Sequence, residues 1–148
     1  MLLDLRKLKR TGKDSADFYF EYIPEENLAQ DLPGCEIALP VKVFGTLSLT
    51  GEHSAYVEGE VEFTLTGECT RCLANATNVY NAEFGEAMAQ GDEQGYSVVN
   101  DIVDLTKIVN DAVLMQVPVT FLCREDCKGL CFRCGQNLNE AECECKKQ

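Results

Sequence analysis

Nine cysteines are the residues in this chain best suited to chemistry, and their spacing is uneven. Six lie in the last 26 residues as Cys123-x3-Cys127-x3-Cys131-x2-Cys134-x8-Cys143-x-Cys145, and two more form an upstream pair, Cys69-Thr-Arg-Cys72. Thiols at such spacings either close disulfides or hold a metal. Cys131-Phe-Arg-Cys134-Gly has the form of a zinc knuckle: two intervening residues let both sulfurs reach one tetrahedral ion, and the glycine lets the backbone turn back tightly. A single Cys-x-x-Cys is a weak signal; two of them, with four further thiols bracketing the second, are a strong one.

The redox compartment separates disulfide from metal. The opening Met1-Leu-Leu-Asp-Leu-Arg-Lys-Leu-Lys-Arg is charged and lacks the apolar core of a secretory signal. No run approaches the roughly 20 apolar residues that span a bilayer. The expectation is a cytoplasmic protein with no membrane association, where clustered cysteines are more often ligands than disulfides. Eight ligands in two sites leave one thiol over, and Cys35 is the natural remainder. The expected cofactor is zinc, as one or two structural ions. Two arrangements are open. In the preferred one, Cys69 and Cys72 are completed by Cys123 and Cys127, while Cys131 and Cys134 join Cys143 and Cys145. In the other, the tail is self-sufficient through Cys127, Cys131, Cys134 and one of Cys143 or Cys145.

Either arrangement argues against catalysis, because four thiolates leave no open position for water, and catalytic zinc usually draws on His or carboxylate. The only histidine, His53, sits in a turn-like Gly-Glu-His-Ser context and reads as an exposed loop residue. No deaminase signature, phosphate-binding glycine loop or Gly-x-Ser-x-Gly elbow is present. Cys69-x-x-Cys72 follows an antiparallel strand and no βαβ pattern, unlike a thiol oxidoreductase. No enzyme activity and no small-molecule substrate are expected.

The formal charge of -12 is unevenly spread. Residues 1–13 carry +4, residues 14–122 carry -16, and residues 123–148 are formally neutral. An acidic body repels nucleic acid, whose binding is driven by phosphate neutralisation. Direct RNA contact would need the basic N-terminus (Arg6, Lys7, Lys9, Arg10) or residues near the knuckles (Arg71, Arg124, Lys128, Arg133). The body reads more easily as a surface for a basic protein, or as plain solubilising charge.

The elements that must position the thiols show mostly period-two alternation. Phe18, Phe20 and Tyr22 mark a short strand closed by Pro24, and Glu25 to Gly34 is polar and turn-rich. From Cys35 to Leu49 the odd positions are apolar or small, with Pro40 marking an edge or a bend. After a turn at Gly51-Glu-His-Ser, Val57, Gly59, Val61, Phe63, Leu65 and Gly67 face one way and an acidic set the other, a half-buried antiparallel strand that ends at Cys69. Residues 78–88 form another strand, and Gln90–Gly95 a loop. Asp104 caps a helix carrying Leu105, Ile108, Val109, Ala112 and Met115, which Pro118 ends. Leu2, Leu5 and Leu8 suggest a short amphipathic helix. The predicted fold is a single α+β domain over 1–148: an acidic body, 1–122, with an antiparallel sheet of about five strands and one packed helix, then a cysteine-rich zinc-binding tail, 123–148.

Three segments together carry a resemblance: Cys69-Thr-Arg-Cys72-Leu, then Val103-Asp-Leu before a helix ending in proline, then Cys123-Arg-Glu-Asp-Cys127-Lys-Gly-Leu-Cys131-Phe-Arg-Cys134-Gly-Gln-Asn-Leu-Asn. The chain resembles the YceD family of bacterial and plastid proteins along most of its length, departing at Phe132, where many such tails have proline. The resemblance implies a non-catalytic accessory factor for accumulation of large-subunit (23S) ribosomal RNA and for ribosome biogenesis. Its implied partners are a ribosomal protein, a pre-ribosomal particle or the large-subunit RNA itself. The alternative function is a zinc-dependent protein-interaction or thiol redox-sensing module.

Overall fold

A computed structural model describes residues 1–25, 27–92 and 96–147. The chain runs β1 (Leu2–Asp4), α1 (Leu5–Arg10), β2 (Ser15–Tyr22), β3 (Cys35–Gly51), β4 (Ser54–Glu68), β5 (Asn75–Gln90), β6 (Ser97–Val99), β7 (Ile102–Asp104) and α2 (Thr106–Gln116), with a 3-10 turn at Glu144–Lys147. The strands form one sheet in the order β1-β7-β6-β5-β4-β3-β2.

This corrects the expected α+β fold of an antiparallel sheet of about five strands with one packed helix. The molecule is mostly sheet, a curled, mixed half-barrel of seven strands. Two physical reasons account for the difference. β1, β6 and β7 are three residues long, and Val98 and Val103 are the only fully buried residues of the last two, so no period can show in sequence. And β6 lies parallel to β5, with Ala89 opposite Ser97, while every other pair is antiparallel. The expected Gln90–Gly95 loop falls partly on residues 93–95, and the turn-rich 25–34 segment includes residue 26; these lie outside the described residues.

The long strands follow their alternation. Val41, Val43 and Leu47 of β3 and Ala55, Val57, Val61, Phe63 and Leu65 of β4 point inward, joined by Ala82 and Met88 of β5. Around Pro40, β3 carries two extra residues: Ala38 pairs with Thr64, but Lys42 with Glu62. Two extra residues conserve the phase, so Val41 stays inward while Leu39 is turned out. Curvature has a local cause at Gly45 and Gly59, which face each other. A Cβ added at these positions would come within 2.9 Å of the Phe18 ring and 2.8 Å of the Phe84 ring, so aromatic side chains cover a bare stretch of backbone.

Both helices close the core. α2 contributes Ile108, Val109, Ala112 and Val113, and α1 contributes Leu5 and Leu8, while Leu2 belongs to β1. The N-cap of α2 is Leu105, one residue beyond the expected Asp104, whose carboxylate accepts from the Thr106 N–H (2.9 Å) and hydroxyl (2.7 Å) at the start of the helix. Leu28, Ala29 and Leu32, from a stretch that reads as polar, also enter the core.

Candidate metal centres

Each Cys-x-x-Cys forms the same local turn. In the first, the Leu73 N–H donates to the Cys69 carbonyl (2.9 Å) and the Cys69 N–H to the Ala74 carbonyl (2.9 Å). In the second, Gly135 N–H donates to the Cys131 carbonyl (2.8 Å) and Cys131 N–H to the Gln136 carbonyl (2.8 Å). Both turns place a left-handed residue after the second cysteine, Leu73 at φ 61° and Gly135 at φ 74°. The backbone thus curls around the sulfurs and aims N–H groups at them.

The first turn stands at the end of β4 and leads into β5, and the chain leaving α2 is brought to it. Thr70 donates its backbone N–H (2.8 Å) and hydroxyl (3.1 Å) to the carbonyl of buried Phe121, and Asn78 donates to the Leu122 carbonyl (2.8 Å). This delivers Cys123 and Cys127 to Cys69 and Cys72. Cys69 Sγ lies 3.7 Å from Cys127 Sγ, and Cys72 Sγ 3.6 Å from Cys123 Sγ. The second group is local: Cys131, Cys134, Cys143 and Cys145, with Cys131 and Cys143 sulfurs 3.5 Å apart. In each tetrad all four sulfurs lie within 4.8 Å of one another. Cys35, the first residue of β3, joins neither and is buried in the core.

The spacing discriminates between chemistries. A disulfide needs sulfurs about 2.05 Å apart, and all nine thiols are free. A tetrahedron of sulfurs about 2.3 Å from a central ion has edges of roughly 3.8 Å, close to the separations observed. Each tetrad can therefore hold a metal ion.

The electrostatics point the same way. Burial opposes ionisation of Cys69, but N–H groups of Cys123, Arg71 and Cys72 turned toward its sulfur bring its pKa down to about 6. Cys123, half-buried and beside the other three sulfurs, is pushed up to about 12 by burial and those neighbours. In the second tetrad the Arg133 and Cys134 N–H groups bring Cys131 down to about 6, while neighbouring Cys134, together with burial, pushes Cys145 up to about 12. Four thiolates so close cannot all ionise on hydrogen bonds alone; a cation held among them would supply the missing compensation.

The tetrads differ in exposure. Cys69, Cys72 and Cys127 are buried, with Leu122 and Leu130 packed against them. In the second tetrad Cys134 is exposed. Asn139 supports the first: its side-chain amide donates to Cys127 Sγ (3.4 Å), and its Oδ1 accepts from the Lys128 N–H (2.8 Å) and Arg124 (2.9 Å). Residue-type reasoning passed over this asparagine, although the Gly-Gln-Asn-Leu-Asn string contained it.

The basic residues expected to contact partners are not brought into one surface. Lys9 pairs with Asp101 (2.9 Å) and reaches the Glu52 carbonyl, which puts α1 by the β3–β4 hairpin. The knuckles stand at the opposite end of β4, whose 15 residues make roughly 45 Å of strand. Arg6 is held bidentate by Asp4, and Arg71 donates to the Cys127 carbonyl (3.1 Å), binding the first knuckle to the tail. Lys7 and Arg10 are exposed on α1, and Arg133 lies over the exposed Phe132 ring at 5.6 Å. His53 lies exposed in the β3–β4 turn, as its sequence context implied, with its Nδ1 3.0 Å from Asp101 Oδ1.

Comparison with known proteins matches residues 57–148 to the family described as "Large ribosomal RNA subunit accumulation protein YceD". Similar relatives include "Large ribosomal RNA subunit accumulation protein YCED homolog 1, chloroplastic" of Arabidopsis thaliana, 37% identical over 46 residues, covering 31% of this chain and 14% of that protein. An uncharacterized protein of Mycobacterium tuberculosis is 35% identical over 92 residues, covering 55% of this chain and 44% of its own. The chain spans less than half the length of these relatives. No solved structure matches it. No described helix is long and apolar enough to cross a membrane.

Proposed function

The chain belongs to the YceD family, and from that premise we propose that it is a non-catalytic accessory factor for accumulation of large-subunit ribosomal RNA, acting during ribosome biogenesis in the cytoplasm. The observation that carries this reading is the family match over residues 57–148, a span that contains both cysteine tetrads and the strands and helix that assemble them.

On this reading each tetrad holds one zinc ion. The all-thiolate donor set suits zinc, and a four-sulfur site is closed, so the ion would act as a staple and supply no reaction. Cys69 and Cys72 would fix the end of the β4–β5 hairpin to the chain after α2, and the second ion would order the tail. The partner is a basic ribosomal protein or a precursor particle, because the acidic body disfavours bare RNA. Co-sedimentation with large-subunit precursors tests this: the protein is expected to travel with them and to be released by added salt. Failure to enrich on those particles counts against it.

A second reading, a thiol-sensing interaction module, draws on one feature, the exposed Cys134. Mild oxidation would then release zinc and change partner binding. Release with unchanged binding argues against sensing.

A further inference from the structure

The sheet has a second face. Opposite the core, register places side chains of β2, β3, β4 and β5 in rows: Tyr19–Phe44–Glu60–Glu83, flanked by Glu21–Lys42–Glu62–Asn81 and Asp17–Thr46–Glu58–Gly85. Neither helix contributes its buried residues to this face. It carries six carboxylates and one cation, Lys42, which is taken by Glu62 at 2.6 Å.

Two features set it apart from an ordinary wet face. Glu60 and Glu83 stand directly opposite each other on neighbouring strands, an arrangement that repels and destabilises a sheet. Neither they nor Glu58 has a basic partner among the described residues. Beside them Tyr19 and Phe44, also directly paired, are 56% and 38% exposed. Such a local violation of sheet chemistry is where function is expected, and a cation from outside would relieve it.

We propose that the outer face of β2–β5 is a docking surface for an extended, arginine-rich segment of a basic protein. A guanidinium seats against the Phe44 ring and bridges Glu60 and Glu83. Arginine fits better than lysine because its plane stacks on an aromatic ring and its fork matches a carboxylate. Nucleic acid is repelled by the same charges, and so is a second copy of this face. The chain's own basic N-terminal helix is not the occupant, since Arg6 and Lys9 are held by Asp4 and Asp101. This inference rests on reading the chain as a binding factor.

Anisotropy titrations of the metal-loaded chain test it, with four labelled probes of equal length: alternating Arg-Ser, alternating Lys-Ser and neutral Gly-Ser peptides, and single-stranded RNA. The Arg-Ser peptide is expected to bind tightest. Glu60→Gln with Glu83→Gln should weaken it at least about tenfold while raising the thermal midpoint. Phe44→Leu, which keeps apolar bulk, should weaken it severalfold with charge unchanged. Glu25→Gln with Asp31→Asn, an equal charge change elsewhere, should matter less than about twofold. Equal losses in both double variants, or preference for RNA, overturn the proposal. A Glu60/Glu83 variant that cannot bind the peptide yet sustains large-subunit RNA in cells would sink the surface and spare the functional reading; peptide binding by a chain whose loss leaves that RNA unchanged would do the reverse.

Discussion

Leu73 and Gly135 occupy the same place in two turns of the same geometry. Each follows the second cysteine of a Cys-x-x-Cys, each is left-handed, and each returns its N–H to the first cysteine's carbonyl. Only one of them is a residue that adopts this conformation without strain. Leu73 is 61% exposed, so replacing it forfeits little burial. Leu73→Gly is therefore expected to stabilise the metal-loaded protein by about 1 kcal/mol in urea unfolding, and Gly135→Ala to cost about as much. Destabilisation by Leu73→Gly would contradict the account.

Chelation should remove two ions at different rates. The tetrad with the exposed Cys134 is expected to empty first, and the buried tetrad of Cys69, Cys72, Cys123 and Cys127 later. Cys134→Ser should abolish the fast phase and leave the slow one. Release in a single phase, unaltered by Cys134→Ser, would show that exposure does not control exchange.

Acid should favour release as well. Ligands bind as thiolates, and Cys123 and Cys145 without the cation sit near 12, so loading at neutral pH expels protons and affinity falls as pH falls. Metal titrations at several pH values, read with proton release, check the sign; affinity independent of pH would contradict it.

Asn139→Ala should weaken the first site by about 10–100-fold, as expected for a residue orienting a ligand. The second site should be unchanged, because the side chain donates to Cys127 and to no sulfur of the other tetrad. Equal weakening of both sites would point to a general loss of tail structure instead.

Asp101 joins α1 and the β3–β4 hairpin to the turn before β7, and Lys9 first, then His53, holds its carboxyl below the usual value. A lowered folded pKa means stability present above the ordinary carboxyl value of 3.8 and lost as pH falls through the folded one. The difference in thermal midpoint between the native chain and Asp101→Asn should thus be full near neutral pH and vanish at the acid end. A difference that grows toward low pH would reverse the assignment.

What could be read from sequence tracks how many residues share one constraint. β3, β4 and β5 alternate long enough for period two to stand out, and α2 shows a helical stripe. A three-residue strand such as Ser97–Val99 buries one side chain, and one residue has no period. Leu28, Ala29 and Leu32 are core residues in a turn, where spacing carries no signal. Cysteine spacing marks out the knuckles, but Cys72 meets Cys123 across 51 residues only because Thr70 and Asn78 bind the backbone at Phe121 and Leu122. The repulsive Glu60–Glu83 pair was hidden because it exists only once β4 and β5 are in register.

The most direct test of the central claim is depletion of this protein in its native cells, with ribosomal particles separated on a gradient and large-subunit RNA quantified against small-subunit RNA. A selective deficit of large-subunit RNA, restored by the native chain, is the expected result. An unchanged ratio after full depletion would contradict it.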